Sequence, residues 1–270
     1  MPLSFSGFWG PVTSSVDWCE ANYEHSRYVC EFFNTLSSGA MVSAGGAGLW
    51  LHRRSLEKRF LLAFFLVCVV GLGSVAFHAT LRFEFQMLDE LPMLYVALVM
   101  VYILLDSRPA GAGRPMLALG LLAWGVVLTA LATFTRGRTQ FYAFQISFST
   151  LEFFCLYRAY RVYKKTLVAS VRRLFRTGAS LYLLAIALWL CDLELCGPLS
   201  RLRAVPNPQL HAWWHVLVAC GLYLLVVAIA FHRAQALGWS PEIRRRFGIP
   251  YVRGSSAILA LHEEPAKPQA

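Results

Sequence analysis

Charged residues are scarce in this sequence. Asp, Glu, Lys and Arg together make up only 15% of its 270 residues, whereas ordinary soluble domains contain about 25%. Hydrophobic residues make up 57% of the chain. This balance excludes an ordinary soluble domain and indicates a protein that crosses a membrane several times.

Two patterns are missing as well. None of the seven cysteines has the CxxC spacing of a zinc ribbon or a thioredoxin-like motif. Residues 1–30 lack the basic start followed by an apolar run that a cleavable signal peptide has. We therefore predict no cleaved signal peptide, and we expect the first apolar segment to act as a signal anchor.

The net charge of +10 arises from 25 Lys and Arg residues against 15 Asp and Glu residues. The basic residues lie between apolar segments instead of forming one stripe with interleaved aromatic residues, so they do not resemble a nucleic-acid-binding surface. We predict no nucleic-acid partner and attribute the charge to membrane topology.

Seven stretches approach the ~20 residues that a helix needs to cross a bilayer. They cover approximately residues 32–51, 60–80, 88–105, 115–134, 139–160, 178–195 and 211–232. We predict an all-α membrane protein, a bundle of seven transmembrane helices. Its parts are an N-terminal segment over 1–31, the bundle over 32–232, and a tail over 233–270 that is disordered from Ser255 onward.

The basic residues also predict the orientation of the bundle. With seven spans, 19 of the 25 Lys and Arg residues fall in the connections and tail on the side of the C-terminus. Because cytosolic loops are enriched in Lys and Arg, the C-terminus is predicted to be cytosolic and the N-terminus lumenal or exterior.

A few polar side chains interrupt the apolar segments, where they are costly unless they have partners or a function. Ser74, His78 and Asp89 lie at the junction of the second and third segments, and His211 and His215 lie at the head of the last one. The predicted topology places all five towards the same, non-cytosolic side.

The histidines predict a metal site. His211 and His215 are four residues apart, so on a helix both rings project from one face and can chelate one ion. The pair alone is also typical of interfacial histidines, here beside Trp213 and Trp214. With His78 at the same depth, three neutral imidazoles and one open position match a catalytic zinc site.

Two nearby side chains suit the chemistry of such a site. Asp89 can act as a general base for a metal-bound water, or as a partner that orients a ligand histidine. Ser74 lies four residues before His78 and shares its helix face, so its hydroxyl can donate to a developing oxyanion. Alternatively, this hydroxyl bonds to its own helix backbone.

A second polar cluster lies near the N-terminus. Asp17, Glu20, Asn22 and Glu31 offer hard oxygen ligands, and the carbonyl of Trp18 can complete a shell that suits calcium. The cluster lacks the loop length and central glycine of an EF-hand. From the residues alone, a solvated acidic cap is the alternative.

At these residues the sequence resembles the alkaline ceramidase family, most closely its alkaline phytoceramidase branch. The matching stretches follow the family order along nearly the whole chain. They are residues 10–11 with 17–23, 31–35, 56–59, 71–78, 88–93 and 209–215.

The resemblance implies a seven-helix intramembrane amidase that hydrolyses ceramide, phytoceramide or dihydroceramide to a sphingoid base and a fatty acid. It implies a multi-pass protein of the endoplasmic reticulum or Golgi membrane. Zinc would be bound by His78, His211 and His215, with Asp89 as the proton shuttle and Ser74 near the oxygen of the scissile carbonyl.

The same resemblance implies calcium in the N-terminal cluster, instead of the acidic cap. The implied ligands are Asp17, Trp18 through its carbonyl, Glu20, Asn22 and Glu31. It also implies a disulfide between Cys19 and Cys196, which the predicted topology places on one side of the membrane.

Two other classes of protein compete with an intramembrane hydrolase. One is a seven-helix receptor with a structural zinc site, related to the progestin and adiponectin receptors. A structural zinc would be closed by a fourth protein ligand and would need no nearby base, so Asp89 with Ser74 favours the enzyme. A metal transporter is disfavoured because no relay of polar residues crosses the membrane.

Overall fold

The computed structural model describes residues 7–106, 108, 113–201 and 207–254. Within these residues, all seven predicted segments are helical, which confirms the all-helical prediction, and a hairpin follows the last helix. The elements are α1 (Phe32–His52), α2 (Lys58–Thr80), α3 (Phe83–Leu105), α4 (Pro115–Phe134), α5 (Gly137–Lys165), α6 (Ala169–Arg201), α7 (Leu210–Ala236), β1 (Glu242–Arg246) and β2 (Ile249–Arg253). The tail from Ser255 onward, predicted to be disordered, lies outside the described residues.

Five of the helices, α2, α3, α4, α6 and α7, are long and apolar enough to cross a membrane. In α1, serine and glycine dilute the apolar run, and α5 carries Glu152 and several basic residues. Several helices are longer than predicted: α3 begins at Phe83 instead of residue 88, and α6 at Ala169 instead of residue 178. Hydropathy detects only the apolar part of a helix, whereas the helical hydrogen bonds continue into its polar ends.

The hairpin was not predicted. Its strands pair antiparallel through a turn at Phe247 and Gly248, which have φ angles of 51° and 79°. Two consecutive residues with positive φ are typical of a tight β-hairpin turn. The backbone N–H of Val252 donates to Nε2 of His52 at 3.1 Å, so the hairpin closes the end of the bundle where α1 finishes.

A close approach between α2 and α3 determines the position of the polar residues at their junction. The two helices are joined by a short connection in which Leu81 has a φ of 49°. A Cβ added at Gly73 would collide with the backbone carbonyl of Leu88. Because only glycine permits this approach, Ser74 and Asp89, the next residues of their helices, lie side by side.

An ion-pair network ties three helix ends together near the hairpin. Arg233 of α7 makes two hydrogen bonds to the carboxylate of Glu57, through Nε at 3.0 Å and through Nη2 at 3.2 Å. Arg59 of α2 bonds to Asp106, after the end of α3, at 2.9 Å. The Arg233 and Glu57 side chains are each only 8% exposed, so neither charge has full access to water.

Removal of Arg233 leaves the buried Glu57 with only a longer ion pair, to Arg59 at 3.5 Å, so we expect Arg233→Gln to lower the free energy of unfolding by up to about 3 kcal/mol. The matched control is Arg244→Gln, since Arg244 pairs with Glu242 at an exposed site on the hairpin. Thermal denaturation of both variants in detergent measures the difference. Equal melting temperatures would contradict a stabilising role for the buried network.

Candidate metal centre

Three histidine rings converge at one end of the bundle. His78 lies in the last turn of α2, and His211 and His215 lie in the first turns of α7. One nitrogen from each ring lies within 4.8 Å of the other two, and all three residues are buried. Among residues 7–106, 108, 113–201 and 207–254, no other set of three or more His, Cys, Asp or Glu side chains is arranged in this way.

Two of the rings are oriented by partners on α1 or immediately before it. Nδ1 of His78 lies 2.5 Å from Oε2 of Glu31, and Nδ1 of His215 lies 2.8 Å from Oγ of Ser37. With Nδ1 bound in this way, Nε2 of each ring is the nitrogen left for a metal. Such partners fix the tautomer and ring orientation of ligand histidines.

The third ring has a different environment. His211 is stacked against Trp18 with 3.9 Å between ring centroids, and its Nδ1 is buried without a hydrogen-bond partner in the described part of the chain. A buried polar atom without a partner is costly. Three convergent imidazole nitrogens and this unpaired atom together fit a metal ion with nitrogen ligands.

Asp89 and Ser74 lie beside the histidines. Ser74 Oγ lies 3.4 Å from Nε2 of His215 and 2.9 Å from Oγ of Ser38, and its hydroxyl is also a hydrogen-bond partner of Asp89. Oδ1 of Asp89 is buried and unpaired among the described residues. Since Nδ1 of His78 contacts Glu31 and Nδ1 of His215 contacts Ser37, neither of these two nitrogens has Asp89 as its partner.

The carboxylate of Glu90, the residue after Asp89, forms hydrogen bonds with other partners. Glu90 accepts hydrogen bonds from Nε2 of Gln86 at 2.8 Å and from Nε2 of Gln140 at 2.5 Å. Oε1 of Gln86 in turn accepts the backbone N–H of Ser15. This buried network, which sequence reasoning missed, joins α3, α5 and the N-terminal segment. Its only sequence signal was the presence of polar residues within apolar helices.

The N-terminal cluster is built around Glu31, which is fully buried. Its carboxylate accepts the backbone N–H of Trp18 at 3.0 Å and the side-chain amide of Asn34 at 3.2 Å. Glu20 accepts the backbone N–H groups of Phe33 and Asn34 and so caps α1. Asn22 donates from Nδ2 to both carboxylate oxygens of Asp17.

Burial makes these carboxyl groups unfavourable as anions. Desolvation raises the pKa of Glu31 to about 8, and desolvation together with the charge of Glu31 raises the pKa of Asp17 to about 6. A bound cation would offset this cost, and carboxylate oxygens are the ligands that calcium prefers. The donors thus suit calcium chemically, although the carboxylates of Asp17, Glu20 and Glu31 do not converge as closely as the three histidines do.

A disulfide holds this segment against α6 and α7. Cys19 and Cys196 are bonded, with Cα atoms 5.3 Å apart, as the resemblance implied. Next to the disulfide, the carboxylate of Asp192 accepts the backbone N–H groups of Cys19 and of His211, each at 3.3 Å. The disulfide and Asp192 therefore keep Trp18 stacked on the ring of His211.

A cavity of about 150 Å³ opens beside the three histidines and is lined by Asp89, His211 and several aromatic side chains. An apolar cavity of about 100 Å³ lies between α2, α3, α5, α6 and α7. Met93, Phe148, Glu152 and Trp214 line both cavities. The two spaces therefore adjoin each other. The one next to the histidines has some polar lining, and the one within the bundle is almost entirely apolar.

The ceramidase family model matches residues 10–253. The chain belongs to the ceramidase family. It is 33% identical to alkaline ceramidase 3 of Mus musculus over 252 residues, which are 90% of this chain and 92% of the mouse protein. It is 32% identical to an alkaline ceramidase of Arabidopsis thaliana over 256 residues, 94% of this chain and 97% of the plant protein. These findings confirm the family predicted from the sequence and the prediction that the chain is an enzyme, a ceramidase.

Because Glu31 contacts Nδ1 of His78, we expect Glu31→Gln to weaken the binding of a metal ion by the three histidines about 10- to 100-fold, with Zn²⁺ as the probe ion. Zinc affinity can be measured by competition with a chromophoric chelator. The control is Glu24→Gln, since Glu24 is exposed in the same segment. Equal affinities in the two variants would show that the contact with Glu31 does not support the metal centre.

Proposed function

We propose that this ceramidase is a zinc-dependent intramembrane amidase that hydrolyses ceramide, phytoceramide or dihydroceramide to a sphingoid base and a fatty acid. The observation that carries the proposal is the convergence of three buried imidazoles beside an unpaired carboxylate. Two adjoining cavities, one next to this site and one apolar, suit a lipid with a polar amide and long aliphatic chains.

His78, His211 and His215 would hold the zinc, since three imidazoles that leave one position open are typical of catalytic zinc sites. When bound, zinc would polarise the amide carbonyl and lower the pKa of a water molecule to about 7. Glu31 and Ser37 keep two of the ligand rings in their orientation.

Asp89 moves the proton. Its carboxylate accepts a proton from the attacking water and returns it to the amide nitrogen as the C–N bond breaks, because without this proton the nitrogen would have to leave as an anion, which is a very poor leaving group. The free Oδ1 of Asp89 supports this role over an orienting role.

Ser74 is proposed to lie next to the carbonyl oxygen of the substrate. The Ser74 hydroxyl has a single proton to donate, and its partners are the carboxyl group of Asp89 and Oγ of Ser38 at 2.9 Å. Ser74 therefore donates to a substrate oxygen only when it gives up a hydrogen bond to one of these partners.

For the membrane, we propose that α1 and α5 also span it, giving seven spans. In α1 the small residues permit close packing against α2 and α7. The excess of Lys and Arg on the opposite side, together with a disulfide that forms in oxidising compartments, supports a lumenal metal centre and N-terminus and a cytosolic C-terminus. We also propose that the protein lies in the membrane of the endoplasmic reticulum or Golgi. In this proposal the N-terminal segment ends at residue 31 and the transmembrane bundle ends at residue 232.

Calcium is proposed as a second ion, held by Asp17, the carbonyl of Trp18, Glu20, Asn22 and Glu31. Its place next to Glu31 would link it to the zinc site, since the same carboxylate contacts His78. The role assigned to calcium is to hold the N-terminal segment against the metal centre.

The alternative, a seven-helix receptor with a structural zinc, requires a closed site. Within the described residues, no fourth His, Cys, Asp or Glu ligand atom joins the three histidines. Asp89 lies at the edge of the site with a free oxygen, and this arrangement favours the hydrolase.

Elemental analysis and a ceramide hydrolysis assay on the purified protein test the zinc mechanism. His215→Ala is expected to lose both metal and turnover. Asp89→Asn is expected to keep the metal and to lose about 10²- to 10⁴-fold in kcat, because it removes only the proton carrier. The control is Thr150→Val, on an exposed part of α5. Full turnover by His215→Ala would rule out the mechanism.

For calcium, we expect Asp17→Asn and a calcium-selective chelator each to lower turnover without removing zinc, because both act on the N-terminal cluster alone. Hydrolysis rates and zinc content are measured on the same samples, with Glu24→Gln as the control variant. Full activity in calcium-free buffer would show that the segment is only an acidic cap.

A further inference from the structure

A carboxyl group that the proposed mechanism does not use lies in the middle of α5. Glu152 lines both the cavity at the metal centre and the apolar cavity. Among the described residues that line the apolar cavity, it is the only charged one. A carboxyl group at this depth in a membrane bundle is costly and usually has a function.

Glu152 belongs to a polar row on one face of α5. Gln145, Ser149 and Glu152 are spaced by four and three residues, which places them on the same side of a helix, and all three line the cavity at the metal centre. The side chains of Gln145 and Ser149 make no hydrogen bond within the described part of the chain. Their polar atoms are therefore available to a molecule in the cavity.

The phenol of Tyr182, on α6, lies close enough to Glu152 to interact with its carboxyl group. Tyr182 is 7% exposed and also lines the apolar cavity. A phenol donates only one hydrogen bond, and Glu152 lines both cavities, so its carboxyl group keeps acceptor capacity for a molecule in them. The tyrosine thus fixes the carboxyl at the point where the two cavities meet.

We propose that Glu152, positioned by Tyr182, accepts a hydrogen bond from an additional hydroxyl group close to the amide of the lipid, and so selects ceramides that carry this extra hydroxyl. This inference rests on the proposed ceramide hydrolysis. All ceramides have hydroxyls on C1 and C3 of the sphingoid base, but some carry a further one on C4 of the base, and others carry one on the acyl chain next to the carbonyl.

A lipid that lacks the hydroxyl is expected to bind less favourably. A buried acceptor that loses its partner pays a desolvation cost, so a site built to bind a hydroxyl discriminates against the analogue without it. An apolar side chain at the same place would accept both lipids equally. The selectivity therefore depends on Glu152, while the chemistry at Asp89 is common to all the substrates.

The test is a competition assay in mixed micelles. Each enzyme receives dihydroceramide together with either phytoceramide, which adds a hydroxyl to the base, or 2-hydroxyacyl dihydroceramide, with equal chain lengths. Product ratios give the ratio of kcat/KM values, which does not depend on the amount of folded enzyme. The variants are Glu152→Leu and Tyr182→Phe, and Thr150→Val is the control.

We expect the natural enzyme to prefer one hydroxylated lipid, and the preferred lipid identifies the hydroxyl. We expect Glu152→Leu to reduce this preference by about tenfold, and Tyr182→Phe to reduce it less, while hydrolysis of dihydroceramide continues. No preference in the natural enzyme, an unchanged ratio in both variants, or complete inactivity of both would overturn the inference. Failure of the natural enzyme to hydrolyse any ceramide would instead contradict the proposed function.

Discussion

The contact between Glu31 and His78 is the interaction on which the rest of the site depends. The carboxylate of Glu31 lies at the start of α1, holds the imidazole at the end of α2, and receives the backbone of the N-terminal segment through Trp18. One buried group thus joins three parts of the chain. Its charge is expensive to bury, and the hydrogen bonds that converge on it are what makes that burial tolerable.

The two ends of the helix bundle have different roles. Ion pairs and the hairpin fasten the helices at one end of the bundle, whereas the other end carries the histidines and their polar partners. The cavities extend from the histidines into the apolar interior. A substrate with aliphatic chains can therefore stay in a hydrocarbon-like environment while only its polar part meets the catalytic groups.

The sequence was sufficient to predict the helices and the central residues of the site. The four-residue spacing of His211 and His215, with His78 at matching depth, predicted that the three would meet, because helical periodicity and membrane depth are both readable from the chain. The residues that pack against the site could not be predicted from the sequence. Ser37 and Asp192 resemble ordinary helix residues until the neighbouring helices bring them to His215 and Cys19.

The hairpin and the lining of the cavity also could not be predicted from the sequence. Residues 242–253 contain a basic strand without an alternating pattern, and their pairing depends on two positive φ angles at Phe247 and Gly248. The side chains that line the cavity, such as Phe148, are aromatic residues in an apolar helix. Nothing in the sequence distinguishes them from residues that only pack.

The distribution of the metal ligands along the chain has a consequence for biosynthesis. His78 is translated with the second helix, whereas His211 and His215 arrive with the seventh. A partly synthesised chain can form the pair of Glu31 and His78 but cannot chelate an ion with three histidines. Under the proposed zinc mechanism, metal loading therefore follows insertion of the last helix, and the ion comes from the compartment that faces the disulfide-bonded end of the finished bundle.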